Sequence, residues 1–179
     1  MARFDSHPHV LAHRSKPAPT GSRPGLPPLD AAELKDLALA AGADDAGLVS
    51  IDDPALDDQR EIILDAFPFA KTLVAIVKRM NRESIRSPMR SLANLEFHET
   101  GDEVTAAGRE IARLLEARGI PAANANMAFP MEADRWPRRM WVVSHKPVAV
   151  AAGLGRMGIH RSVIHPRFGS FILLGTVIV

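Results

Sequence analysis

Apolar side chains recur along this chain in two rhythms, one helical and one extended, and regular patterning begins only at about residue 29. After Asp30, the residues Leu34, Leu37, Ala38 and Ala41 share one face at helical spacing, with Glu33 completing a capping box and Gly42 as the stop. Residues 46–51 read as a strand, Asp53 and Pro54 open a second helix to about residue 67, and 72–77 is a short, β-branched, buried strand. Thr100 with Glu103 predicts a further capped helix, in which Val104, Ala107, Ile111, Leu114 and Leu115 form a core-facing stripe that ends at Gly119. Residues 120–127 are expected to be extended and 141–143 to form a strand, and Ser144 is expected to cap a short helix through 152. The apolar runs 162–165 and 170–179 flank Pro166-Arg167-Phe168-Gly169, whose proline and glycine suit a tight turn, so a terminal hairpin is predicted. Helices and strands mixed without regular alternation point to an α+β fold.

Composition sharpens the boundaries. Residues 1–28 hold six prolines among glycine and serine, which predicts a flexible Pro-rich arm ahead of a single domain over 29–179. His7, His9 and His13 in that arm lack a carboxylate or thiolate cluster, and no metal centre is expected. No run approaches the roughly 18 apolar residues of a membrane span, and no secretory apolar stretch opens the chain, so a cytoplasmic protein is expected. The chain has no cysteine, which excludes disulfides, a cysteine nucleophile and any iron–sulfur cluster held by its own thiolates.

The net charge of +1 conceals an asymmetry. Beyond Asp134 there is no Asp or Glu, while Arg135, Arg138, Arg139, Lys146, Arg156, Arg161 and Arg167 all lie there. That segment is the natural place for an anionic ligand or an acidic partner, unless the acidic remainder pairs with it internally.

Several motifs carry candidate chemistry. Gly153, Gly155 and Gly158 match G-x-G-x-x-G, but a helix runs in and a strand runs out, the reverse of the dinucleotide-binding order. The glycines either admit a bulky ligand beside Arg156, His160 and Arg161 or serve only a tight turn. Arg82, Arg86 and Arg90 fall at i, i+4 and i+8, an anion-binding or a solvated face if helical, and Pro88 weakens that helix. His98 and His165 read as satisfied structural histidines.

The stretch from Lys146 to Val179, KPVAVAAGLGRMGIHRSVIHPRFGSFILLGTVIV, resembles the corresponding part of the epoxyqueuosine reductase family and its relatives among corrinoid iron–sulfur proteins, including reductive dehalogenases. The A-G-L-G-x-x-G loop, the P-x-x-G-S turn and the following L-G carry the resemblance, and weaker similarity reaches back to about Leu34. It implies a nitroreductase-like sheet flanked by helices that holds cobalamin, followed in the family by a ferredoxin-like domain with two [4Fe–4S] clusters.

Carried over residue by residue, the resemblance places cofactor contacts on Gly153, Gly155, Gly158, His160, Val163 and Leu174, the last two through backbone groups, with Arg90 a looser match ahead of Glu96-Phe97-His98. The family's proton-donating aspartate falls on Arg139, eight residues before Pro147. A guanidinium cannot donate a proton at neutral pH as a carboxylic acid can. The catalytic residue is therefore unknown, and a reaction other than epoxyqueuosine reduction is expected. The implied partner is a ferredoxin-like electron donor in trans or a missing C-terminal domain. An apolar edge on the terminal hairpin would favour a homodimer, and no nucleic-acid partner is expected. The rival readings are a non-catalytic corrinoid-handling module and an FMN-binding nitroreductase-like protein.

Overall fold

The computed structural model describes residues 29–125 and 141–179, together with Pro8, Leu11, Ala12 and Ser15. The three arm histidines and Arg139 lie outside the described residues, as does most of the expected arm.

The elements run α1 (Ala31–Ala40), β1 (Asp45–Ser50), a 3-10 turn (Pro54–Leu56), α2 (Asp57–Ala66), β2 (Thr72–Arg79), α3 (Arg82–Arg86), α4 (Arg90–Ala117), β3 (Ala123–Asn124), α5 (His145–Ala151), β4 (Arg156–Met157), β5 (Val163–Ile164) and β6 (Ile172–Ile178). Four strands form an antiparallel sheet in the order β1-β2-β6-β3, and β4 pairs with β5 separately. The mixed helix and sheet agree with the α+β expectation.

The central strand β2 is buried almost throughout because both faces of the sheet are covered. Its Val74 and Ile76 pack with Ala46 and Val177 beneath α1 and α4, where Leu34, Leu37, Val104, Ile111 and Leu115 supply the helical side. Leu73, Ala75 and Val77 face the opposite way, joining Ile178 against Leu56, Ile63 and Val148 from the 3-10 turn, α2 and α5. Strand alternation and helical periodicity thus meet in two apolar layers.

Local chemistry sets the boundaries of these elements. The Asp53 carboxylate accepts from the Ala55 amide at 2.9 Å, so the segment expected as one helix enters as a 3-10 turn before α2. Replacing Asp53 with alanine should cost roughly 1 kcal/mol; urea unfolding with an unchanged denaturant slope would report it, and no loss would remove the cap from the account.

Four expectations need correction. The helix expected to start at Thr100 begins at Arg90, and the Thr100 hydroxyl bonds the Glu96 carboxylate at 3.1 Å instead of capping. Most residues of the first ten positions of α4 are exposed, so no apolar stripe signalled them. Arg82 and Arg86 belong to α3, whereas Arg90 opens α4 beyond Pro88, so the three arginines do not share one helix. Residues 141–143 form no strand; the Ser144 amide bonds Gln59 Oε1 at 2.8 Å instead of joining a ladder. The predicted terminal hairpin is also different. β5 pairs back to β4 and not to β6, while β6 enters the main sheet between β2 and the short β3, which pairs only with its Val177 and Ile178.

Candidate functional site

The candidate site grows from the end of α5. Gly153, with φ of 77°, ends the helix: its amide bonds Val150 O at 3.0 Å and the next amide, Leu154, bonds Ala149 O at 2.9 Å. This is a Schellman closure, and it requires the left-handed residue that glycine supplies most easily. Space beyond its α-carbon is open. At Gly155 the need is different, because a Cβ there would run into Ile164 O, where β5 crosses behind the loop. The β4–β5 hairpin then closes through Gly158, whose amide bonds Ser162 O at 2.9 Å, and Lys146 Nζ ties the tip to α5 by bonding Arg161 O at 2.8 Å.

Beside this loop lies an open groove of about 510 Å³, lined by Gly153, Gly155, Arg156, Ile164, Arg82 and Arg167 among others. A second space of about 630 Å³ shares Arg82 and Arg167 with it and reaches Arg79 and Asn81. The exposed apolar side chains Met157, Ile159 and Ile164 belong to the same hairpin.

Of two histidines in this half of the chain, one lines the groove and the other meets β6. His165, buried, accepts the Arg167 and Phe168 amides on Nδ1 at 3.2 and 3.3 Å, which leaves the proton on Nε2 to be donated to Asp45 Oδ2 at 3.2 Å. Its ring stacks on Phe168 at 4.7 Å. Burial pushes the Asp45 carboxyl up, but the Ala46 amide, Lys35 and His165 together hold it below the ordinary value. His145 at the start of α5 meets the buried Thr176 hydroxyl through Nδ1 at 2.8 Å, and its Nε2 is buried without a partner among the described residues. Burial lowers this imidazole to about 4.

The structure brings Gly153 and Gly155 to the groove and sets Gly158 and His160 in the adjoining hairpin tip, with the His160 ring close against the Gly158 α-carbon. The Val163 side chain is buried in the core, and that of Leu174 packs partly buried against the same cluster. Thr176 O accepts from the Ala125 amide, so strand alternation turns the Leu174 N–H and C=O toward the same side of β6, past the end of β3. No described strand covers them there. Arg90 is exposed at the start of α4 and does not line the groove.

Of the two histidines expected to be structural, His165 is buried and fully bonded, whereas His98 is exposed on α4 and edges against Phe97. The neighbouring Glu96 has another role: the Asn81 amide bonds it at 2.7 Å, holds its carboxyl below the usual range and fastens the start of α3 to α4. Sequence reading missed Arg79, which ends β2 and carries no motif, and the Asp45–His165 pair, whose partners are 120 residues apart. Arg156 and Arg167 were in view together in the basic segment beyond Asp134, and Arg82 in a separate spacing.

No family model and no curated protein sequence matches this chain. Solved structures do share its fold. A reductive dehalogenase, described as showing a B12-dependent mechanism, is 19% identical with a TM-score of 0.61 over 90% of this chain and 21% of its own. A catabolic reductive dehalogenase in complex with 3-bromo-4-hydroxybenzoic acid is 18% identical with a TM-score of 0.57 over 90% of this chain and 21% of its own. An epoxyqueuosine reductase is 15% identical with a TM-score of 0.50 over 82% of this chain and 44% of its own. The chain therefore spans less than half the length of each. These are the two groups that residues 146–179 resemble, and among the described residues no helix is long and apolar enough to cross a membrane.

Proposed function

We propose that this chain is a cobalamin-binding, nitroreductase-like domain of a corrinoid-related oxidoreductase. The observation that carries the reading is the β4–β5 hairpin. Ile164, on the groove face of the hairpin with Arg156, and Ile159 at its tip stand exposed beside a glycine-walled groove, apolar surface of the kind a large, flat macrocycle covers. The Leu174 backbone groups, which no described strand pairs, and the His160 ring add polar contacts suited to a ligand rimmed with amides. Bound cobalamin would supply redox-active cobalt; Gly153, Gly155, Gly158, His160, Val163 and Leu174 would hold it.

With no cysteine in this chain to hold a cluster, electrons on this reading would come from a ferredoxin-like partner or domain outside these residues. Arg139 in place of the family's acid points to a reaction other than epoxyqueuosine reduction, carried out in the cytoplasm. A non-catalytic corrinoid carrier would keep the same surface, and an FMN protein would use the same fold.

Titration of cob(II)alamin, followed by its visible spectrum, tests this. Wild type is expected to bind at micromolar concentration. Ile159→Asp and Ile164→Asp should each weaken binding by about tenfold, roughly 1.4 kcal/mol, and His160→Ala by less. A wild-type protein that leaves the cobalamin spectrum unchanged at high micromolar concentration while binding FMN tightly would replace this reading with the flavin one.

A further inference from the structure

Four arginines from three separate segments line two neighbouring spaces that share Arg82 and Arg167: Arg79 and Arg82 at the turn from β2 into α3, Arg156 on β4, and Arg167 in the turn before β6. Among the described residues none of them pairs with a carboxylate. The nearby acids among the described residues are already engaged: Asp44 Oδ2 accepts the Arg79 amide at 2.8 Å and lies 3.7 Å from Lys78 Nζ, Glu96 accepts the Asn81 amide at 2.7 Å, and Glu83 lies 3.8 Å from Arg86.

Two of the four are pre-positioned. Arg167 lies over the Phe168 ring at 4.4 Å and reaches Asp44 O at 3.4 Å, while Arg82 stands over Phe171 at 5.5 Å. Stacking of this kind holds a guanidinium plane without consuming its charge. Like charges gathered in a groove repel one another unless an anion joins them, and a planar fork of donors matches phosphate oxygens in pairs. A groove of several hundred cubic ångströms also exceeds what an inorganic ion fills, within the roughly 300–1,000 Å³ of sites for organic ligands.

We propose that Arg79, Arg82, Arg156 and Arg167 form a binding site for the phosphate of an organic phosphate ester. The site goes beyond the corrinoid reading and does not depend on it. The phosphate has two possible sources: the cofactor's own nucleotide tail, or a separate phosphorylated substrate. Both present the same dianionic or diester oxygens to the arginines.

Inorganic pyrophosphate is the probe, titrated calorimetrically into the full chain at low salt. Wild type should bind it saturably below millimolar concentration. The Arg82→Gln and Arg156→Gln variants, both at exposed positions, should each weaken binding severalfold, and Arg82→Gln/Arg167→Gln by more than about tenfold. Arg86→Gln, outside the groove and paired with Glu83 at 3.8 Å, should bind as wild type does. The source follows from cobalamin and cobinamide, which lacks the nucleotide phosphate. If cobalamin displaces pyrophosphate and alone loses affinity in the double variant, the phosphate is the cofactor's. If pyrophosphate stays bound beside cobalamin, or binds when cobalamin does not, the ligand is a separate phosphate ester; in the second case the corrinoid reading falls and this site stands. No saturable pyrophosphate binding, equal weakening by Arg86→Gln, or retention of only a single-stranded RNA that pyrophosphate cannot displace would overturn the proposal.

Discussion

Lowering the pH from 7 to 4 should remove on the order of 3 kcal/mol of folding stability through one side chain, His145. Burial holds its imidazole at about 4 in the folded protein, against about 6.5 in the unfolded chain. Between those values the unfolded state binds the extra proton and the folded state does not. Stability is therefore complete above about pH 6.5, falls as the pH drops, and stops falling through this group below about 4. Roughly 1.4 kcal/mol per pH unit over about two and a half units sets the size. Desolvation causes the shift, because the ring meets the Thr176 hydroxyl and no charge among the described residues offsets its burial. Denaturant unfolding of wild type and His145→Gln at pH 7, 5.5 and 4 measures the effect. The glutamine cannot titrate, so its stability should vary less with pH by about the amount stated. Parallel profiles for the two proteins would show that His145 is not the group responsible.

The second large effect is expected from His165→Leu, at about 3 kcal/mol of stability. Leucine fills much of the same volume but accepts nothing. It would strand the Arg167 and Phe168 amides, the latter in a buried residue, and leave the Asp45 carboxylate facing an apolar group. Each unsatisfied buried group costs about 1–3 kcal/mol, and the ring stack on Phe168 is lost as well. The turn that carries Arg167 should also loosen, so amide hydrogen exchange over 166–169 should rise before global unfolding does. A loss below about 0.5 kcal/mol with unchanged exchange would mean that the turn holds itself. Asp45 adds a separate acid dependence. Its folded carboxyl lies below the unfolded value of 3.8, so its contribution is present above that pH and is lost as the pH falls further.

Gly155 illustrates how a residue can support two readings that its type cannot separate. A bulky side chain there would obstruct a ligand, but it would first meet the Ile164 carbonyl, so loss of binding in such a variant reports a broken hairpin. Exposed positions on the same hairpin, Ile159 and Ile164, interrogate the ligand surface without that ambiguity.

The sequence by itself determined the elements whose burial follows a short period: the α1 stripe, the continuous apolar run of β2, the core face of the second half of α4 and the glycine stop after α5. It also determined, through the absence of cysteine, that this chain's thiolates hold no cluster, and it placed a basic, glycine-bearing stretch in the last third. The first half of α4 escaped because its mostly exposed residues carry no core-facing stripe for periodicity to detect. Only the tertiary structure decided which strands pair, since 162–165 and 172–178 look alike as apolar runs, yet the first closes a small hairpin with β4 and the second enters the main sheet. It alone joined Arg79 and Arg82 to Arg156 and Arg167, and Asp45 to His165. Such contacts depend on crossings between distant segments, where backbone space at Gly155 and the desolvation of buried polar groups determine the arrangement, and neither quantity is a property of local spacing.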